Sequence, residues 1–356
     1  METVAYLYPW DVLGDPGIVD RIRSVGADRV ALAAHYHAVR AATPNHPRHE
    51  IIDAAWSALY LPAVGEGEIP IEEPAWTAPD AFLRARDVLA GAGLSVAAWI
   101  APLHADPRTW RTTARVVDVY GTVHRHAVCA SSPHAGVLVE RIAASLRAAG
   151  AEDVVAEAIG QLGIDHAHQH EKTSGADWEL AQKRLLSVCF CHDCAHAHGD
   201  RTAELADAVG AGVRADPDAA ADALAQCEEL VLGLRGRSTG DLYQRLRRQF
   251  PALTVHASPD PWATGAGTPA VWMPDADSVV GNAWHRCDPD ALAAIRVPSP
   301  QARLGAYVTL LSPDLTADRL RRHLAELQGA GVDELHLYHL GLASERRLQV
   351  LREVKA

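Results

Sequence analysis

Eight short apolar stretches recur along this chain, and most are followed by a segment with helical periodicity. They cover residues 4–8, 29–34, 95–100, 153–158, 253–257, 277–282, 303–310 and 334–339. Helical patterns fall at 17–25, 79–92, 133–149, 289–295, 316–329 and 344–354. The region 202–250 reads as two or three helices, broken near Ala215-Asp216-Pro217 and at Gly236. Gly26, Gly93, Gly150 and Gly331 each close a helix just before the next strand, where glycine adopts the left-handed C-terminal conformation without strain. Alternation of this kind builds a parallel sheet, and eight units close into a (β/α)₈ TIM barrel. An open doubly wound sheet is the alternative. Its dinucleotide-binding version is weakened, because no glycine-rich phosphate loop follows the first strand. With 356 residues, 48 % of them hydrophobic, one barrel domain over 1–356 is expected. A long polar connection spans 38–79, with a small extra strand at 58–61. An extended segment after the fourth strand carries a histidine-rich loop, a cysteine cluster and extra helices at 160–250.

The formal net charge is −12 and no long basic run is present. Nucleic acid is therefore excluded as a main partner, since phosphate binding needs clustered Lys and Arg. No stretch reaches the ~18 apolar residues of a membrane helix. The N-terminus has neither the basic nor the apolar region of a signal peptide, so a cytoplasmic location is expected. Six cysteines are too few for a disulfide framework in a chain of this length. In a reducing compartment, closely spaced ones point to a metal. The sequence is compatible with an oligomer.

In a barrel of this kind, chemistry sits at the C-terminal ends of the strands. Those ends carry Tyr8 and Trp10, His35 and His37, Trp99 and His104, Glu157, Asp260 and Trp262, Trp284 and His285, Tyr307, and Tyr338 and His339. Aromatic rings beside hydrogen-bonding groups suit a sugar, whose C–H faces stack and whose hydroxyls pair. A carbohydrate or glycoside is thus the expected partner. Glu157 interrupts an apolar strand, and period two puts it on the face of Val155. Facing inward, it would be desolvated, and its raised pKa would suit it to donate a proton near neutral pH.

Glycoside hydrolysis uses two carboxylates. Asp260, just past the fifth strand, and Glu171, on the histidine-rich loop, are equal candidates for the second, with Asp314 below them. His166, His168 and His170 alternate between Asp165 and Glu171. They read as a substrate-recognition loop, as a metal site or as a solvated loop, and their spacing matches no standard metal motif. Cys189-Phe-Cys191-His-Asp-Cys194 offers three soft ligands, and a structural zinc needs one more. Cys129, His192, His196 and His198 are candidates for it. Cys227 and Cys287 read as ordinary small residues.

The carboxylate closing the fourth strand, the later Cys-x-Cys-x-x-Cys and the earlier Cys129-Ala-Ser-Ser-Pro133 together resemble the family 42 β-galactosidases and related glycosidase-like barrels of bacteria. The resemblance implies a glycosidase, with Glu157 as acid/base residue and a zinc held by Cys129, Cys189, Cys191 and Cys194. It breaks at two points. Ala156 stands where the family has Asn before its acid/base glutamate. The family nucleophile, a glutamate ending the seventh strand, has no counterpart in Gly305-Ala-Tyr-Val-Thr-Leu-Leu311.

Three functions are therefore expected from the sequence. The first is a glycosidase with Glu157 as general acid, Asp260 or Glu171 as its partner, and stacking surfaces at Trp99, Trp262 and Trp284. The others are a metal-dependent hydrolase or lyase using the histidine-rich loop, and a carbohydrate-binding barrel without turnover.

Overall fold

A computed structural model describes residues 1–108, 114–164, 166 and 172–355. Eight parallel strands form the barrel: β1 (Glu2–Leu7), β2 (Arg29–Tyr36), β3 (Ser95–Ile100), β4 (Asp153–Ala156), β5 (Ala252–Ser258), β6 (Ser278–Asn282), β7 (Arg303–Thr309) and β8 (Glu334–Tyr338). Each pairs in parallel with its neighbour. The ring closes because β1 also pairs with β8, with Glu2 opposite Glu334 and Val4 opposite His336. Closure removes the two exposed edges of an open sheet, so the doubly wound alternative does not apply.

The helices follow the apolar periodicity. Ile18–Ser24, Ala81–Gly91, Pro133–Ala148, Pro289–Arg296, Ala317–Gly329 and Glu345–Lys355 each stand after a strand or its loop. Pro133–Ala148 shows why: Leu138, Val139, Ile142 and Leu146 recur at helical spacing and are all buried. Proline at its first turn needs no hydrogen bond there, and Gly150 takes φ +74° past its end.

One helix differs from expectation. Pro217–Arg247 is continuous through Gly236. A Cβ at Gly236 would lie 2.8 Å from Nε1 of Trp272, so this glycine admits a close indole rather than ending the helix. The break at Ala215–Asp216 is real: the Asp216 side chain caps the helix by accepting from the Ala219 N–H. Two hairpins were not apparent in the sequence. Val39–Ala42 pairs with Ile51–Ala54, and Arg115–Val117 pairs with Val123–Val128. The small strand Ala58–Leu59 pairs antiparallel with the end of β2.

The helices between β4 and β5 bury a second apolar cluster that includes Leu185, Val209, Leu224, Val231 and Trp262. No helix among the described residues is long and apolar enough to cross a membrane.

The barrel interior holds buried polar groups among its apolar side chains. Charged residues occupy the N-terminal ends of the strands, where Arg29 meets Asp153 at 2.8 Å and Glu334 at 3.3 Å, and Arg303 meets Glu334 at 2.9 Å. Above them stand inward-facing rings. Tyr6 contacts Trp99 edge-on at 4.9 Å and lies against His256, Tyr307 and His336.

Candidate active site

A cleft of about 490 Å³ opens over the C-terminal ends of the strands. Glu157 forms part of its floor, with Tyr36 and His37 from the end of β2, His256 from β5, Tyr307 from β7 and Tyr338 from β8. His104, His166, Asn282 and Trp284 line it further out, and Gly265, Ala266 and Gly267 close one wall.

Local backbone geometry aims Glu157. It follows the last residue of β4, and its N–H still donates to the Ile100 carbonyl at 2.8 Å. Ala158 then turns at φ +52°, a left-handed conformation that costs a non-glycine residue roughly 1–2 kcal/mol. Its N–H donates to Ala266 O at 2.8 Å, which ties the turn to the wall after β5. That wall can approach because residue 267 is glycine: a Cβ there would lie 3.0 Å from the Ala257 carbonyl oxygen. Strain beside the reactive end of a strand is typical of functional sites.

Glu157 is 6 % exposed, and burial pushes its carboxyl up to about 7, partly opposed by a hydrogen bond from Trp99 Nε1–H at 2.8 Å. It is the only carboxylate among the described residues that line the cleft. Burial, followed by the charge of Glu157, pushes the hydroxyls of Tyr307 and Tyr338 above their ordinary pKa, so they remain donors. A carboxyl that is half-protonated near pH 7, flanked by neutral donors, can give up a proton to a bound oxygen.

The imidazoles form a second group, carried by the segments after β2, β3 and β4. His37 stacks on His104 with centroids 3.7 Å apart, and His104 Nδ1 lies 3.1 Å from His166 Nε2. His126 stands edge-on to His104 at 5.6 Å.

The residues expected from the sequence therefore separate into groups. Glu157, His37, His104, His166, Trp284, Tyr307 and Tyr338 come together in the cleft. Trp99 lies beneath the floor, fully buried, and reaches the site through Glu157. Trp10 is stacked on Tyr8 at 4.5 Å and buried away from the cleft. His35 is buried behind it, and burial lowers its ring to about 4. Trp262 is not a cleft surface: it packs in the second apolar cluster, with the Arg235 guanidinium over its ring at 5.4 Å. Asp260 does not line the cleft either, and Arg184 holds its carboxylate at 2.6 Å. Asp314 sits on the outer rim with Arg319. His168, His170 and Glu171 lie outside the described residues.

Tyr36, His256, Asn282 and the wall at 265–267 were missed. His256 had a signal: it shares a strand face with Thr254 inside an apolar run, as Glu157 does with Val155.

The four cysteines converge. The Sγ atoms of Cys129, Cys189, Cys191 and Cys194 all lie within 4.8 Å of one another, and all four residues are buried. Among the described residues this is the one group that could hold a metal ion. The fit to a thiophilic cation is good. Tetrahedral zinc with bonds of about 2.3 Å requires sulfurs roughly 4 Å apart. The N–H groups of Val117 and Cys191 donate to Cys189 Sγ at 3.5 Å, as amides do to a ligating thiolate. Arg235, 4 % exposed, places a buried positive charge near the sulfurs. The cluster ties the end of the Val123–Val128 strand to the start of the His192–His198 helix.

No family model and no curated protein sequence matches the chain. Its fold is similar to solved structures at low identity. The catalytic domain of β-amylase from Paenibacillus polymyxa superposes with TM-score 0.60 and 10 % identity, over 99 % of this chain and 97 % of that one. The glycoside hydrolase domain of PgaB (BpsB) from Bordetella bronchiseptica gives 0.51 and 14 %, over 99 % and 98 %. The β-galactosidase of the psychrophilic Marinomonas ef1 gives 0.55 and 11 %, and the match covers 99 % of this chain but 59 % of that enzyme. The chain thus has the (β/α)₈ barrel fold that these glycoside hydrolases share.

Proposed function

We propose that the protein is a glycosidase-like enzyme in which Glu157 is the general acid. One observation carries the reading: a carboxyl at the C-terminal end of β4, buried in an aromatic-lined cleft and held by Trp99, with its pKa raised to about 7. The similarity to glycoside hydrolase barrels supports it at the level of fold.

In this reading a sugar stacks on the exposed face of Trp284, whose ring is backed by Tyr338 at 5.4 Å and 22° from parallel. Protonated Glu157 gives its proton to the leaving-group oxygen as the glycosidic bond breaks. Trp99 N–H then stabilises the carboxylate that remains. The second carboxylate is Glu171 rather than Asp260, because Arg184 engages Asp260 away from the cleft. The four cysteines hold a structural zinc that braces the segment carrying the cleft's outer wall, and no chemical step passes through it.

That Glu157 stands alone among the described carboxylates of the cleft favours a second reading, a sugar-binding barrel without turnover. A panel of aryl glycosides separates the two. The glycosidase reading expects release of the phenol by wild type and, for glycosides of weakly acidic phenols that need a proton to depart, its loss in a folded Glu157→Gln variant. Saturable sugar binding with no product from any glycoside would support the binding protein instead.

A further inference from the structure

A hydrogen-bonded chain runs up the barrel axis from the charged N-terminal end to the cleft. Glu334, at the start of β8, is 1 % exposed and is bound by Arg29 at 3.3 Å, Arg303 at 2.9 Å and the Ser278 hydroxyl. His336 Nε2 lies 3.3 Å from its Oε2. His336 Nδ1 lies 2.9 Å from Tyr6 Oη, and Tyr6 Oη lies 2.8 Å from His256 Nε2. Room for His336 comes from Gly305, where a Cβ would lie 3.0 Å from the ring's Nε2.

Each link leaves only one place for its proton. Two guanidiniums keep Glu334 ionised, so it can only accept. The His336 proton is then on Nε2, and its Nδ1 is bare. A bare Nδ1 takes the Tyr6 O–H, which leaves the Tyr6 oxygen as an acceptor. His256 must therefore donate from Nε2. Burial lowers the His336 ring, and burial with the nearby His336 lowers His256 to about 3, so both rings are neutral near pH 7. A neutral ring with its proton on Nε2 has a lone pair on Nδ1.

We infer that Glu334, His336 and Tyr6 lock His256 in its Nε2–H tautomer, leaving Nδ1 as a fixed acceptor that reads a hydroxyl of the ligand in the cleft. His256 lines the cleft, and Nδ1 has no partner among the described residues. Glu334, His336 and Tyr6 are positioning residues, and His256 determines specificity. That the donor is a sugar hydroxyl rests on the glycosidase reading; the lock does not. A ligand with a hydrogen-bond donor at this position satisfies the site, while an ether or deoxy carbon there leaves a desolvated acceptor unpaired.

Nitrogen NMR of the full chain carrying isotope-labelled histidine reads the tautomer without any ligand. The expected result is a protonated Nε2 and a bare Nδ1 in wild type, and a mixture of tautomers in Tyr6→Phe. A proton on Nδ1 in wild type overturns the inference, because a cationic His336 would donate from Nδ1 to Tyr6 and turn the Tyr6 hydroxyl to donate to His256 Nε2. Unchanged His256 signals in Tyr6→Phe also overturn it. If Tyr6→Phe does not fold, the wild-type tautomer decides alone. For a glycoside that wild type cleaves, His256→Phe should lower kcat/KM at least about tenfold, and His256→Gln, whose carbonyl accepts, should restore most of it. Unchanged kcat/KM in His256→Phe contradicts the acceptor role. Absence of any cleavage counts against Glu157 as the acid and leaves the tautomer to be judged by NMR.

Discussion

The indole N–H of Trp99 donates to Oε2 of Glu157 at 2.8 Å, beneath the floor of the cleft. Trp99 lies in β3 and Glu157 just past the end of the adjacent β4, where Trp99 pairs with Val155. Burial favours the protonated acid, while the indole favours the carboxylate. The balance leaves a group able to act in both protonation states near neutral pH. Removing the indole should therefore raise the carboxyl further. In Trp99→Phe the alkaline limb of the pH–kcat profile moves to higher pH, because the acid stays protonated for longer. A profile that does not move would mean that Trp99 does not tune Glu157.

The same shift has a cost in stability. The carboxyl rises from 4.5 to about 7 on folding, so the folded state binds the proton more tightly than the unfolded chain. The favourable contribution is present at low pH and is lost as pH rises between those two values. Above pH 7 the burial of charge costs about 3 kcal/mol. Glu157→Gln should accordingly raise the melting temperature by several degrees at pH 8 and change it little at pH 4. A variant equally destabilised at both values would contradict the proposed burial.

Asp260 provides a control. Its partner Arg184 lies at 2.6 Å, and its side chain is 36 % exposed, so the pair is worth at most ~1 kcal/mol. Asp260→Asn should leave turnover within about threefold of wild type. Glu171→Gln should reduce it by at least ~100-fold if Glu171 is the second carboxylate. Reversed effects, read in kcat, would reinstate Asp260.

The cysteine cluster makes an elemental prediction. Wild type should carry one zinc per chain, and Cys191→Ser should lose it. Thermal unfolding should then fall by an amount worth at least a few kcal/mol, since binding at a structural site contributes to folding. Metal-free wild-type protein with an unchanged melting temperature would leave the four thiols as simple packing.

Much of this was legible in the sequence for definable reasons. Eight strands could be located because each is a short apolar run, four of them preceded by a glycine that closes the helix before. Glu157 stood out because a carboxylate interrupts one of those runs, and strand period two gives its direction. The cysteines could be grouped because three lie within six residues. What sequence could not give is lateral contact. Asp260 and Trp262 follow a strand as closely as real cleft residues do, yet Arg184 and Arg235, both from the segment between β4 and β5, draw them aside. For His256 the strand pattern marks an inward polar residue, but its importance comes from Tyr6 and His336, 250 and 80 residues away. Gly236 looked like a helix stop because the indole that explains it belongs to another element.

The most direct test of Glu157 as general acid compares two leaving groups in a Glu157→Ala variant. An activated dinitrophenyl glycoside departs without a proton, whereas an unactivated alkyl glycoside needs one. The expected result is nearly normal bond cleavage for the first and a loss of roughly 10²–10⁴-fold for the second. Equal losses on both substrates, or no loss on either, would contradict it.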